Sequence, residues 1–345
     1  MDLADARALW DPEPGWLNTA SYGLPPAPAW DELQRALEVW RHGSESWEPW
    51  GESTERSRRA FARLVQVQPS RVAVGGTVSE LLGLVAASLP DRARVVVPEV
   101  EFTSNLFPWL VQQDRGVQVV TVPTDRLLDE ITPGTTMVAT SLVQSSTGEI
   151  AVLDEVVAAA REVDALVVVD GSQAVGWLPV DASQVDAFAC VGYKWLMSPR
   201  GSAFLALSER LQERLRPINA GWYAGADVHT SYYGPPLRLA TDARRFDVSP
   251  AWFSWVGTAP ALELLEQVGI EQVRAYDVAL ADRFRAGLGL APAGSAIVST
   301  TVPNAAAKLE RAGIRAATRA GALRASFHLY STEADVDAAL DALVG

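Results

Sequence analysis

Cysteine is almost absent. Cys190 is the only one in the chain, which excludes an internal disulfide and a cysteine-rich metal site. Histidine is nearly as scarce, and His42, His229 and His328 are too scattered to form a metal-ligand spacing, so no metal is expected. Basic residues are outnumbered, 29 against 42 acidic, for a net charge of −13. An acidic surface of this kind repels phosphate backbones, and nucleic acid is not an expected partner. No apolar run is long enough to span a bilayer, and no internal repeat or low-complexity tract interrupts the chain. The opening residues, MDLADARALWDPEPGW, lack the basic start and unbroken apolar stretch of a secretory signal. These absences point to a cytoplasmic protein with no membrane partner, in which any difficult chemistry uses an organic cofactor.

What is present is a continuous globular pattern, 345 residues long, whose length suggests one large and one small domain. Seven short apolar runs alternate with helix-like segments: RVAVG (71–75), RVVVP (94–98), VQVVTV (117–122), TTMVATS (135–141), ALVVVD (165–170), VDAFACVG (185–192) and SAFLAL (202–207). Strands so uniformly apolar lie in a mostly parallel sheet covered by helices on both faces, an α/β fold. A long helical pattern begins near residue 258, followed by SAIVSTTV, the helix NAAAKLERAG, the strand LRASFHLY and the closing helix TEADVDAALDALV. We expect a large domain over 21–257, a small α+β domain over 258–345 that includes the linking helix, and a return of residues 1–20 to the small domain.

Three strand ends carry candidate chemistry. Gly75-Gly76-Thr77-Val78 sits between a strand and an apolar-periodic helix, where free amides and the helix dipole favour a phosphate. An ordinary helix start with Thr77 as N-cap explains the same residues. Asp170 ends the most apolar strand, placing a carboxylate at the carboxyl edge of the sheet, where ligands of such folds bind. A protonated pyridine nitrogen would supply the cation it needs, with Gln173 donating to a nearby phenolic oxygen, although Asp170 also suits a turn cap. Lys194 lies between Tyr193 and Trp195 directly after an apolar strand. Burial would lower its pKa toward that of an amine nucleophile, whereas on a surface its stem would pack on Trp195.

Taken together in this order, the three features resemble the class V aminotransferase group of fold-type I pyridoxal-phosphate enzymes, which includes cysteine desulfurases, kynureninases, isopenicillin-type epimerases and sulfoxide lyases. The resemblance runs from Leu17-Asn18-Thr19-Ala20-Ser21-Tyr22-Gly23 to Arg324-Ala325-Ser326-Phe327-His328-Leu329-Tyr330, and is strongest at Asp170-x-x-Gln173 and Tyr193-Lys194-Trp195-Leu196. It implies pyridoxal 5'-phosphate as cofactor and Lys194 as its aldimine lysine. Asp170 is implied on the ring nitrogen, Gln173 on the ring oxygen, and Thr77 on the phosphate with the flanking amides of Gly76 and Val78 and with Tyr193 nearby. Phe102 falls where relatives stack a ring on the cofactor, and Ser145 where many carry asparagine. Trp222 and Ser249 match residues that in relatives reach a phosphate of the neighbouring subunit, which implies a homodimer. Arg324 matches the arginine that clamps the substrate carboxylate, a task its planar guanidinium suits, and Asn18 and Ser21 lie near the substrate wall.

The reaction implied is displacement of Lys194 by a small amino acid or cysteine conjugate, followed by α-proton removal by the freed amine. Desulfurases usually carry histidine where Phe102 stands and a nucleophilic cysteine between positions matching His229 and Gly345, where this chain has none. Cys190 reads as a core residue. The expectation is therefore a carbon–sulfur or carbon–carbon lyase, a hercynylcysteine-sulfoxide-type lyase being the nearest named kind, or an aminotransferase. An epimerase and a non-catalytic cofactor-binding protein are the alternatives.

Overall fold

The structure, a computed structural model, describes all residues 1–345. Helices α1 (Leu3–Arg7), α2 (Ala27–His42) and α3 (Glu48–Leu64) come first, then β1 (Val72–Gly75), α4 (Val78–Ala87), β2 (Arg94–Pro98), α5 (Thr103–Leu110) and β3 (Gln118–Val122). They are followed by α6 (Leu127–Glu130), β4 (Met137–Ser141), α7 (Leu153–Glu162), β5 (Leu166–Asp170), β6 (Ala187–Val191), β7 (Ala203–Leu207) and α8 (Glu209–Gln212). A long connection then leads to α9 (Trp252–Val268), α10 (Ile270–Gly287), β8 (Ile297–Thr300), α11 (Ala305–Arg311), β9 (Ala317–Arg319), β10 (Ala322–Ser326) and α12 (Glu333–Val344).

All seven apolar runs form one sheet in the order β1-β7-β6-β5-β4-β2-β3. Neighbours from β3 to β6 pair in parallel, while β7 is antiparallel to both β6 and β1. Two reversals leave β1 running with β6, so every strand except β7 ends at one edge of the sheet. The uniform hydrophobicity follows from cover on both faces. Along β5, Val167 and Val169 enter one core with Phe61 and Phe188, while Leu166 and Val168 enter the opposite core with Leu82 and Trp109, as the two-residue period of a strand requires.

A second sheet, ordered β8-β10-β9 and antiparallel throughout, packs with α10, α11 and α12 around Phe284, Val298 and Phe327. The chain start joins it. Leu17 lies in this core, and bridges link Trp16 to Arg315 and Asn18 to Ser326. A capping box, Thr332 with Asp335, starts α12.

Three features differ from the sequence expectation. The long pattern from residue 258 is two helices, α9 and α10, broken at Gly269, whose φ of 87° glycine takes without strain. The strand expected through Tyr330 ends at Ser326, because His328 turns inward to pair with Asp277 and with the carbonyl of Trp195. Helices α2 and α3 were not anticipated. They pack on α9, with Arg56 of α3 bridging Glu32 of α2 and Glu263 of α9.

One buried ion pair ties the long connection to the sheet. Arg58 of α3 donates to both carboxylate oxygens of Asp247 at 3.2 and 2.7 Å and to the carbonyl of Val72, while Asp247 also accepts from the Val74 amide at 2.8 Å. Asp247→Ala would leave the buried guanidinium with Glu55 as its one carboxylate partner, at 2.9 Å, and the Val74 amide with none, a loss that costs about 3 kcal/mol. The expected result is a matching fall in denaturation midpoint with unchanged slope. A midpoint equal to that of the parent protein would show that the pair does not hold the connection.

Candidate active site

The shared carboxyl edge collects the predicted site residues from five strands. Asp170 ends β5, the turn after β6 carries Tyr193 and Lys194, the turn after β4 carries Ser145, the turn after β2 carries Phe102, and the turn after β1 carries Gly76 and Thr77. The Lys194 side chain is buried at 8 % exposure, and its Nζ lies 5.4 Å from the centroid of the Phe102 ring. Burial pushes the amine pKa down to about 8, with Asp170 opposing and Arg324 and Arg319 adding to the fall. The chain's other lysine, Lys308, donates to the Leu343 carbonyl. Lys194 is thus the single amine in the cleft.

Asp170 is buried and accepts from the Ser172 amide at 2.8 Å, as a turn cap would. No arginine, lysine or histidine forms an ion pair with it, so its need for a cation is unmet by the protein. Arg324 has the opposite need. It is 1 % exposed and donates to the Ser145 carbonyl (2.7 Å), Ser145 Oγ (3.0 Å) and Ser21 Oγ (2.9 Å), meets no carboxylate, and its Nε has no partner. Its pKa falls to about 10 through burial and the neighbouring Arg319. Asn18 brings a second unpartnered atom, Oδ1. Ser145, whose role the sequence left open, is the acceptor that orients Arg324.

Gln173 is engaged at both ends of its amide. Its amide nitrogen donates to the Ala20 carbonyl at 3.0 Å and to Ser145 Oγ at 3.2 Å, and its oxygen accepts from Trp195 Nε1 at 2.8 Å. Donation to a cofactor oxygen requires the bond to Ser145 to open. The residue as found is a strut between the chain start and the Lys194 turn.

The Lys194 turn is clamped from three sides. Gly23 donates its amide to the Tyr193 carbonyl at 2.9 Å, and a Cβ there would stand 2.1 Å from the Lys194 carbonyl, so only glycine allows the approach. His328 presents Nε2 to the Trp195 carbonyl at 3.0 Å, which fixes the proton on that nitrogen, and Nδ1 to Asp277 at 2.7 Å. Both partners are fully buried, and burial pushes the Asp277 carboxyl up to about 6 against the pull of His328. Sequence reasoning missed this pair, which spans 51 positions. It also missed Glu101, a buried carboxylate that accepts from Ser141 N and Oγ (both 2.6 Å), Gln144 (2.7 Å) and Asn105 (3.0 Å), locking the Phe102 turn to the Ser145 turn. Its position beside Phe102 was the available signal.

In the turn after β1 Thr77 caps α4 by accepting from the Glu80 amide, and the Gly76 amide donates to the Glu80 carboxylate at 2.8 Å. Val78 opens the helix, whose first amides lack intrahelical partners. An oxyanion thus already occupies one amide of the corner, and a phosphate there would take that place. Tyr193 lies half-buried at the cleft with the Arg200 guanidinium 4.9 Å over its ring. Trp222 and Ser249 are not brought into this group within the chain. Trp222 packs against Trp47, Tyr223 and Tyr232, and Ser249 is exposed on the connection after Asp247.

The donor set fits a pyridoxal phosphate. A lone depressed amine, a buried carboxylate lacking a cation, an aromatic ring left 45 % exposed over the amine and an amide corner that holds an oxyanion match its aldehyde, pyridinium, ring face and phosphate.

Comparison with known proteins agrees. A family model described as aminotransferase class-V matches residues 37–307. An uncharacterised aminotransferase of Bacillus subtilis is 26% identical over 86% of this chain and 84% of its own length, and the isopenicillin N epimerase of Streptomyces clavuligerus is 28% identical over 84% of each. A probable cysteine desulfurase of Streptomyces coelicolor is 30% identical over 84% of this chain and 80% of its own. Among solved structures, the cysteine desulfurase CsdA of Escherichia coli superposes with a TM-score of 0.85 at 22% identity, covering 99% of this chain and 97% of that one. A C-DES variant with glycine covalently linked to its PLP cofactor superposes at 0.87 and 22% identity, covering 99% of both. These likenesses make the architecture fold-type I.

The depressed amine is directly measurable. In cofactor-free protein an amine-selective acylating reagent should modify Lys194 with a half-maximal rate near pH 8 rather than near 10.5, falling at lower pH as the free base protonates. With two lysines in the chain, mass spectrometry assigns the adduct without ambiguity, and a midpoint near 10.5 would mean that the amine is solvated.

Proposed function

The chain belongs to the class V aminotransferase family and its cofactor is pyridoxal 5'-phosphate, and on that premise we propose that it acts on a small amino acid or cysteine conjugate, with Lys194 as the cofactor-bearing lysine and the base for the α-proton. The observation that carries the reading is the Lys194 amine, buried and depressed to about 8 between Phe102, Asp170 and Arg324. Bound in this cleft, the cofactor supplies an electrophilic carbon for the substrate amine and a sink for charge at its α-carbon. Arg324, with an unpartnered Nε and no carboxylate of its own, takes the substrate carboxylate and so fixes the direction of the α-C–H bond. Lys194 at a pKa of about 8 is partly free base at neutral pH and accepts that proton at Nζ. Asp170, at the end of β5, would pair with the pyridine nitrogen of the bound cofactor. Phe102 would cover one face of the bound ring from water.

The outcome we favour is a carbon–sulfur or carbon–carbon lyase, or an aminotransferase, without a persulfide. Cys190 is fully buried in β6, and burial followed by the charge of Asp170 pushes its thiol well above the usual range, the reverse of what a sulfur-accepting thiolate requires. The relative from Streptomyces clavuligerus supports epimerisation as the second reading. Stoichiometry separates them. A lyase acting on a β-substituted alanine releases pyruvate and ammonia without an acceptor, an aminotransferase stalls until a keto acid is added, and an epimerase inverts the substrate with solvent deuterium incorporated. A binding protein without turnover shows no spectral response to any amino acid. Sustained sulfur transfer from free cysteine by a Cys190→Ala variant would overturn the exclusion of persulfide chemistry.

A homodimer completes the reading. Trp222 and Ser249, which lie apart from the Lys194 group within the chain, become phosphate contacts of a second copy, and the aromatic cluster that runs from Trp222 through Trp47 and Trp252 to Trp50, Phe253 and the exposed Trp40 suits an interface. Sedimentation should give twice 37.1 kDa, and a monomer with full activity would remove both residues from the site.

Asp170→Ala should lower turnover by about 100-fold to 1000-fold, the usual cost of one pre-oriented charge, while spectroscopic titration shows the cofactor still bound. Normal turnover in that variant would take Asp170 out of the mechanism.

A further inference from the structure

The cleft carries more positive charge than one substrate carboxylate uses. In the pairing of β9 with β10, Arg319 stands opposite Ala322 and Arg324 opposite Ala317. Side chains alternate along a strand and directly paired residues share a face, so both arginines leave the sheet on the same side. The paired position across from each is alanine, so neither guanidinium meets a bulky cross-strand neighbour. Both converge on one hydroxyl, with Ser21 Oγ accepting from Arg324 Nη2 at 2.9 Å and from Arg319 Nη2 at 3.4 Å. Arg319's other hydrogen bond goes to the carbonyl of its own neighbour Thr318.

Neither guanidinium has a carboxylate partner. This is so in a chain where acidic residues outnumber basic ones by 42 to 29. Two like charges brought to one oxygen repel, and the charge of Arg319 reaches far enough to help lower both Arg324 and Lys194. An arrangement that disfavours the empty cleft is relieved by anions. Arg324, buried and rigidly held by Ser145, suits the α-carboxylate. Arg319, exposed at the mouth on the same face, is free to take another.

We propose that the substrate is an amino acid bearing a second carboxylate on its side chain, with Arg319 as the residue that selects it. The proposal rests on the placement of Lys194 and Arg324 given above. In the holoenzyme, calorimetry with glutarate and butyrate reads the second carboxylate without turnover. Glutarate should bind about 10-fold more tightly, the scale of one partly exposed charge-assisted hydrogen bond. Arg319→Gln should abolish that advantage, and Arg319→Lys, which keeps the charge, should restore part of it. Across a panel of amino acids, Arg319→Gln should raise KM for those with a side-chain carboxylate while kcat changes little. Equal binding of glutarate and butyrate by the parent protein, or an equal loss of both in Arg319→Gln, would overturn the proposal, the second result placing Arg319 on the α-carboxylate with Arg324. A spectral response to alanine with no preference for dicarboxylates defeats only this inference, whereas no response to any amino acid defeats the reading of the site beneath it.

Discussion

Keeping the Lys194 amine out of water is the constraint on which the rest of the site depends. Desolvation is the largest influence on its pKa and brings it to about 8 against the pull of Asp170, so the protein stabilises a reactive neutral amine chiefly by withholding solvent, with Arg324 and Arg319 adding to the fall. The turn bearing it has to be held by contacts that bring no charge to Nζ. Backbone supplies most of them. Gly23 and Gly176 each approach so closely that a Cβ would stand 2.1 Å from the Lys194 carbonyl and 2.4 Å from the Trp195 carbonyl respectively. His328 fastens the Trp195 carbonyl from the turn after β10, and Trp195 fastens Gln173.

These clamps come from distant parts of the chain, and the residues between Leu17 and Leu24 form the seam among them. Thr19 bonds the Tyr330 hydroxyl at 2.7 Å, the Ala20 amide bonds Ser326 Oγ at 2.9 Å, and the Leu24 carbonyl accepts from Trp10. The same stretch supplies Ser21 to Arg324 and Gly23 to the lysine turn. A movement of the small sheet therefore carries Arg324 and one support of the amine together. Glu101 plays the corresponding part on the other wall, where a single carboxylate with donors from Asn105, Ser141 and Gln144 sets Phe102 against Ser145. Burial raises its pKa despite those donors, the expected balance for a charge stabilised by hydrogen bonds in a desolvated place.

Much of this was legible in the chain because local rules wrote it. All seven strands of the large sheet were readable as apolar runs, since a strand covered on both faces has no polar side to show. Asp170, Lys194 and Thr77 were readable because each directly follows such a run, and in a parallel sheet the strand ends fall on one edge. Helices α2 and α3 were not, since they cover α9 through residues such as Arg56 whose partners lie far along the chain. The break at Gly269 escaped notice because both flanking segments keep helical periodicity, and one φ of 87° decides it.

By itself, then, the sequence determined the layered α/β architecture, the exclusion of an internal disulfide, and which residue types stand at the strand ends, because these follow from periodicity, composition and adjacency along the chain. Only the tertiary structure decided that Gln173 is engaged as a strut, that Ser145 orients Arg324, that Asp277 and His328 meet, and that Arg319 joins Arg324 on one hydroxyl. Each of those depends on side chains from separate elements coming within hydrogen-bonding distance. That distance is set by how two sheets and the chain start pack against one another, a property no local stretch of residues carries.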